Sequence, residues 1–157
     1  MKKTIVVVYG RSNEGKSETI KAVCRKLLEM FPNAKKHLPE GVSDIQWEID
    51  VLAALTVNGV KIGFESQGDP KSRMVEDETL ELLASPNGDL GNCDIIFCAT
   101  RTRGETIKTV ENVANKHDYY TIWSSSLFGP NLDTKVLNDI AADAFVQLVV
   151  SLMLNRV

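Results

Sequence analysis

Gly10-Arg11-Ser12-Asn13-Glu14-Gly15-Lys16-Ser17 follows the β-branched run Thr4-Ile5-Val6-Val7-Val8-Tyr9. It precedes a stretch, Ser17 to Met30, in which Ile20, Val23, Cys24, Leu27 and Leu28 fall at helical spacing before Phe31-Pro32-Asn33 stops it. Strand, glycine loop and helix form the first unit of the chain. Glycines at both ends of the loop let the backbone wrap closely. Consecutive N–H groups then converge in front of a helix N-terminus, which adds its own partial positive charge. Such a loop suits phosphate oxygens. Average residue frequencies put the pattern G-x-x-x-x-G-K-[ST] in under about 1% of chains this long by chance.

Outward from that unit, strands and helices alternate. After a polar connection, Asn33 to Asp44, two strand-like runs at 45–57 and 60–65 flank Asn58-Gly59, a strong hairpin signal. Ser66-Gln67-Gly68-Asp69-Pro70 then precedes a helix over 73–83, which ends near Ser85-Pro86-Asn87-Gly88. Asp94 to Ala99 reads as a strand, Glu105 to Lys116 as a polar helix, Tyr119 to Trp123 as a strand and Asp133 to Leu154 as a long final helix. The order predicts an α/β fold in three layers. A mostly parallel five-stranded sheet carries one antiparallel hairpin strand at its edge and helices on both faces. Residues 1–157 read as one domain. In such sheets ligands sit beyond the carboxyl ends of the strands, so the loops after Tyr9, Glu65, Ala99 and Trp123 should share one rim.

On these residues the chain resembles the P-loop NTPases, a superfamily that contains hydrolases and small-molecule kinases. The resemblance covers Thr4 to Met30 closely and the remaining α/β order loosely. It implies a P-loop NTPase-like fold and binding of a nucleoside triphosphate with Mg²⁺ through Gly10, Arg11, Ser12, Asn13, Glu14, Gly15, Lys16, Ser17 and Glu18. Lys16 would reach the β- and γ-phosphates and Ser17 would ligate the metal. Adenine is the default base by superfamily frequency, so ATP is the expected nucleotide. Asn115-Lys116-His117-Asp118 spells the N-K-x-D guanine signature of GTPases. It closes a helix and opens a strand, which puts it on the rim opposite the phosphates.

P-loop proteins place a metal-side carboxylate at the end of a second strand, and Val60 to Glu65 ends in one. Glu65 is therefore the first metal candidate beside Ser17, with Asp50 and Glu48 as alternatives. Glu65-Ser66-Gln67-Gly68 is similar to the small-GTPase spacing D-x-x-G, with Glu in place of Asp. On that analogy Gln67 or Asp69 orients an attacking water or accepts a substrate proton. Gln-Gly-Asp-Pro is equally good turn chemistry. Thr100-Arg101-Thr102-Arg103-Gly104 brings two guanidiniums to the same rim, where Arg101 or Arg103 could neutralise a γ-phosphate or bind an anionic acceptor. Solvated loop arginines have the same pattern. Ser124-Ser125-Ser126 is a candidate base contact or a plain loop. Lys35-Lys36-His37 reads as a solvated loop or as a mobile segment over bound nucleotide.

Three function classes remain open on this reading. One is NTP hydrolysis or switching, and one is phosphotransfer to a small acceptor held by Arg101, Arg103 and the 33–45 connection. The third is a non-catalytic nucleotide-binding module that assembles, as a homo-oligomer for example, through its apolar C-terminal helix. Composition removes others. With 18 Lys and Arg against 21 Asp and Glu, the net charge of −3 argues against a nucleic-acid partner held by phosphate contacts. Cys24, Cys93 and Cys98 form no CxxC pair, which argues against a zinc cage or disulfide scaffold and for a reducing, cytoplasmic setting. They read as core groups, and Trp47 and Trp123 as packing anchors on strands. Ile140 to Leu154 is apolar except for Asp143, Gln147 and Ser151, a narrow polar stripe. That spacing predicts a mostly buried helix rather than a membrane span.

Overall fold

A computed structural model describes residues 1–11, 13–67, 73–101 and 105–157, with the side chains of 73–78 and of Glu105 set aside. Ser12, Asp69 and Arg103, three of the expected site residues, lie outside the described residues, as does Gly68. The elements in chain order are β1 (Thr4–Tyr9), α1 (Lys16–Met30), β2 (Lys35–His37), β3 (Leu52–Val57), β4 (Val60–Glu65), α2 (Arg73–Ala84), β5 (Ile95–Thr100), α3 (Glu105–His117), β6 (Tyr120–Ser125) and α4 (Thr134–Met153).

The strands form one mixed sheet of six, in the order β2-β3-β4-β5-β1-β6. β1 lies between β5 and β6, parallel to both, and β4 is parallel to β5. β3 runs against its neighbours β4 and β2. Five strands therefore point one way and β3 alone points the other. The loops after β1, β4, β5 and β6 share one rim, as the α/β pattern requires.

Two expectations are corrected here. The sheet has six strands rather than five, because Lys35–His37 is not a loop but an edge strand on β3. Its single buried side chain, His37, places Nε2 2.8 Å from Thr56 Oγ1 and Nδ1 3.3 Å from Asp89 Oδ1. Tertiary pairing gives a charged tripeptide a role that its composition does not advertise. The antiparallel hairpin strand accordingly sits one place inside the edge. The run expected as a strand from residue 45 also starts late, at Leu52. Before it, Asp44 Oδ1 accepts from the Ile45 amide at 2.8 Å and the Ile49 amide turns back onto Gln46 O, so local bonds claim the backbone first.

Alternation along the strands divides the core between the two faces. Val6, Val8, Ile62, Phe64, Ile95 and Phe97 join Ile20, Val23 and Leu27 of α1 and Phe145 and Val149 of α4. Ile5, Val7, Ile96 and Cys98 join Leu80 and Leu83 of α2 and Val110 and Val113 of α3. Phe97 is the pivot of the first core, stacked on Phe64 at 5.7 Å and edge-on to Phe145 at 5.8 Å. Such pairs add about 0.5–1.5 kcal/mol each beyond area burial.

α4 starts at Asp133, whose carboxylate accepts from the Val136 amide at 3.2 Å. Its length and mean hydropathy of 1.6 are enough to cross a membrane by composition, and only 39% of that stretch is buried, less than the mostly buried helix expected, because Val136 and Ile140 lie on the face turned away from the sheet, 53% and 52% exposed. Asp143 and Gln147 face solvent, in line with the polar stripe. All three cysteines are buried and unbridged, and burial pushes the Cys24 and Cys93 thiols up to about 12. Trp47 packs partly buried under the Arg25 guanidinium, 5.3 Å away, though in a connection rather than on a strand. Trp123 instead stands 37% exposed on the β6 edge, against its reading as a packing anchor.

Candidate functional site

The loop after β1 is held on three sides. The Gly10 amide donates to Thr100 O at 3.1 Å, which ties the start of the loop to the end of β5. On the other side the Ser126 amide donates to Tyr9 O at 3.2 Å. Gly15 closes the loop in the left-handed region, at φ 83°, as the N-cap of α1. A Cβ there would also lie 2.2 Å from Asn138 Oδ1 of α4, so both conformation and space demand glycine. At Gly10 a Cβ would approach Ser126 Oγ to 3.0 Å. Gly15 is thus demanded by its own backbone conformation as well as by α4, whereas a side chain at Gly10 would only displace the Ser126 hydroxyl.

Inside the loop, polar groups are already turned toward one another. Lys16 is buried at the first position of α1, and its Nζ donates to Gly10 O at 2.9 Å, which folds the side chain back across the loop. The Arg11 amide donates to Glu14 Oε1 at 2.7 Å, so one loop amide already holds an anionic oxygen. Asn13 sits at φ 61°, a conformation that asparagine tolerates better than most residues. Glu18, one turn into α1, faces solvent and pairs with Lys21 at 3.2 Å. Acidic Glu18 and the α1 N-terminus are compatible by helix polarity.

The carboxylate nearest Ser17 is Asp50. Ser17 Oγ donates to Asp50 Oδ1 at 2.9 Å, and Ser66 Oγ donates to the same oxygen at 3.0 Å. Ser66 also accepts from the Val51 amide at 2.7 Å, and its own amide donates to Val51 O at 3.0 Å. These bonds clamp the end of the 38–51 connection to the residue after β4. The result is three hard oxygen donors, two hydroxyls and a carboxylate, gathered at the start of α1.

Glu65 occupies a different place. It is 4% exposed and pairs in register with Cys98. Its neighbours Ile62 and Phe64 face α1, while Glu65 lines a narrow cleft with Leu80, Cys98, Thr100, Thr106 and Val110 on the α2 and α3 side. The structure therefore brings Asp50 and Ser66 to Ser17 and sets Glu65 on the opposite face of the sheet. Thr100 Oγ1 in that cleft is buried without a hydrogen-bond partner among the described residues. Gln67 follows Ser66, half-buried, on the same rim. Arg101 is also on the rim, where its amide donates to Thr106 Oγ1 in the first turn of α3 at 3.4 Å. Glu48 lies exposed in the 38–51 connection.

Asn115 to Asp118 spans the end of α3 and the turn into β6, at the amino end of that strand, so it is across the sheet from the Gly10–Ser17 loop. Lys116 and His117 there both bond Glu81 Oε1 at 2.9 Å, a structural tie between α2 and α3. Burial raises the Glu81 carboxyl, and the hydrogen bonds from Lys116 and His117 more than offset it, leaving the group below its ordinary value.

Asn138 is the contributor that sequence reasoning missed. It is buried one turn into α4 against Gly15, and its Oδ1 lies 3.5 Å from Thr19 Oγ1. The signal was an amide in helical phase with the buried Ala141, Ala142, Phe145 and Val149 of α4, where a polar group needs a partner. Among the described residues no group of three or more His, Cys, Asp and Glu side chains is placed to hold a metal ion. No protein-family model, curated protein or solved structure matches the chain.

Proposed function

We propose that the chain binds a nucleoside triphosphate, ATP by superfamily default, together with Mg²⁺, and cleaves its terminal phosphate. The observation that carries this reading is the Ser17–Asp50 bond at the mouth of a loop with the full G-x-x-x-x-G-K-[ST] sequence. Because the Ser17 hydroxyl gives its hydrogen to Asp50, its lone pairs face outward for a cation. Mg²⁺ prefers oxygen ligands and keeps several waters and phosphate oxygens, so one hydroxyl with one supporting carboxylate is an adequate protein contribution. When bound, the metal would neutralise the terminal phosphates.

The chain's own residues supply the rest. Lys16 exchanges its bond to Gly10 O for phosphate oxygens, and the Arg11 amide exchanges the Glu14 carboxylate for one. Asp50 takes the metal-side role first considered for Glu65. Gln67 and Arg101 stand on the rim as candidates for placing water and for opposing developing charge, with Asp69 and Arg103 as their sequence neighbours. The reduced, buried thiols agree with a cytoplasmic protein. Incubation with Mg²⁺ and ATP, followed by phosphorus NMR, tests the reaction. ADP and phosphate should accumulate, Ser17→Ala should slow this at least about tenfold, and unaltered ATP would reject it.

A second reading, transfer to a small acceptor, is favoured by one observation: a cavity of about 250 Å³ in the 38–52 segment borders Asp50.

A further inference from the structure

The cavity between Leu38 and Leu52 has apolar walls and two exposed carboxylates in its lining. Leu38, Val42, Ile45 and Ile49 supply the walls, and Ile49 and Val42 remain 58% and 42% exposed. Two charged groups, Asp44 and Asp50, line it, and no basic side chain is among the described lining residues. Asp44 is already engaged by Lys36 at 3.1 Å and by the Ile45 amide. Asp50 is the group through which an occupant would reach Ser17. A volume of 250 Å³ equals about eight waters of liquid, which is the scale of a one-ring molecule. The walls are fixed at both ends, by β2 on β3 and by the two hydrogen bonds between Val51 and Ser66.

We propose that this cavity binds a small non-anionic alcohol with an apolar body and that its hydroxyl meets Asp50, as the acceptor of the phosphoryl group. This rests on the phosphotransfer reading above. Asp44 is neutralised by Lys36, but an anionic acceptor would meet the Asp50 carboxylate, bonded by the hydroxyls of Ser17 and Ser66, and contact repulsion there favours an uncharged hydroxyl. In the transfer, the bond between the γ-phosphorus and the β–γ bridging oxygen breaks, and the alcohol oxygen bonds to that phosphorus. The hydroxyl proton is released to solvent water, and nucleoside diphosphate leaves. Asp50 is then the residue shared by the donor and acceptor sites.

The probes are 2-phenylethanol and phenylacetate, which share a ring and differ in having a hydroxymethyl or a carboxylate group at its end. Saturation-transfer NMR on the full chain at millimolar probe should show transfer to 2-phenylethanol at least fivefold stronger than to phenylacetate. Val42→Trp, which fills the mouth, and Ile49→Lys, which charges a wall, should each remove most of that signal. Equal signals from the two probes, no transfer to 2-phenylethanol, or a signal unchanged in both variants would overturn the proposal. Thermal shift with Mg²⁺ and ATP on the same samples separates the two failures. An ATP response without alcohol binding overturns the acceptor site alone, and alcohol binding without an ATP response supports the cavity while removing the donor.

Discussion

Ser17 Oγ and Asp50 Oδ1 are 2.9 Å apart although 33 residues separate them in the chain. The bond joins the first turn of α1 to the end of a connection with no regular structure of its own, and Ser66 completes it from the end of β4. A hydroxyl held as donor to a carboxylate has its acceptor lone pairs directed away, and the proposed function uses them to hold a cation.

Asp50→Asn should therefore weaken the dependence of nucleotide binding on Mg²⁺ by about 10–100-fold, as loss of an orienting carboxylate does. Glu65→Gln should leave that dependence within about threefold, because Glu65 lies on the α2 and α3 side. A Mg²⁺ titration at fixed ATP compares the two. Equal losses in both variants would return the metal-side role to Glu65.

Glu14 holds the Arg11 amide that a phosphate oxygen would need. Removing its charge should tighten triphosphate binding, with Glu14→Gln gaining roughly 2–10-fold in affinity at low salt from one fewer repulsion near the loop. Isothermal titration at two salt concentrations reads this. Weaker binding in Glu14→Gln would show that the carboxylate shapes the loop rather than competes for it.

Gly15→Ala should destabilise the fold by about 1–3 kcal/mol, because the new Cβ meets Asn138 Oδ1 and the backbone stays left-handed. Asn138→Gly removes the clash but not the φ requirement. The double variant should recover part of the loss, a coupling of about 0.5–3 kcal/mol measured by urea unfolding. Simple additivity would mean that the loop moves away from α4 instead.

The Glu81 link gives an acid-side signature. Its folded carboxyl is depressed by Lys116 and His117, so the unfolded chain binds the proton more readily. The stabilisation is complete above the ordinary value of 4.5 and disappears as pH falls through the lower folded value. Melting curves of wild type and Glu81→Gln should differ at pH 7 and converge as the pH falls from 4.5 through the lower folded value. A gap that persists in acid would assign the difference to packing.

The loop was legible because its requirements are local: glycine at a left-handed position, a β-branched strand before it and a periodic helix behind. The same locality made β1, α1 and the Asn58-Gly59 hairpin readable from the chain. What failed was decided at a distance. Lys35–His37 becomes a strand only because Thr56 and Asp89 receive His37, and Asp50 reaches Ser17 only because Ser66 clamps Val51. Glu65 has the expected spacing, and alternation along β4 turns it to the α2 and α3 side, since a one-residue step along a strand exchanges the faces of the sheet. Asn138 was hidden among apolar neighbours because its partner lies across the fold.

The central claim is that the Gly10–Ser17 loop holds the phosphates of a Mg-bound nucleotide. Thermal unfolding of wild type and Lys16→Ala, each with ATP, Mg²⁺, both or neither, tests it most directly, because a ligand that favours the native state must raise the transition. The account predicts a rise of several degrees for wild type with Mg²⁺ and ATP together, a smaller one for ATP alone and none in Lys16→Ala, which should otherwise unfold like wild type. Equal rises in wild type and Lys16→Ala, or none in wild type, would contradict it.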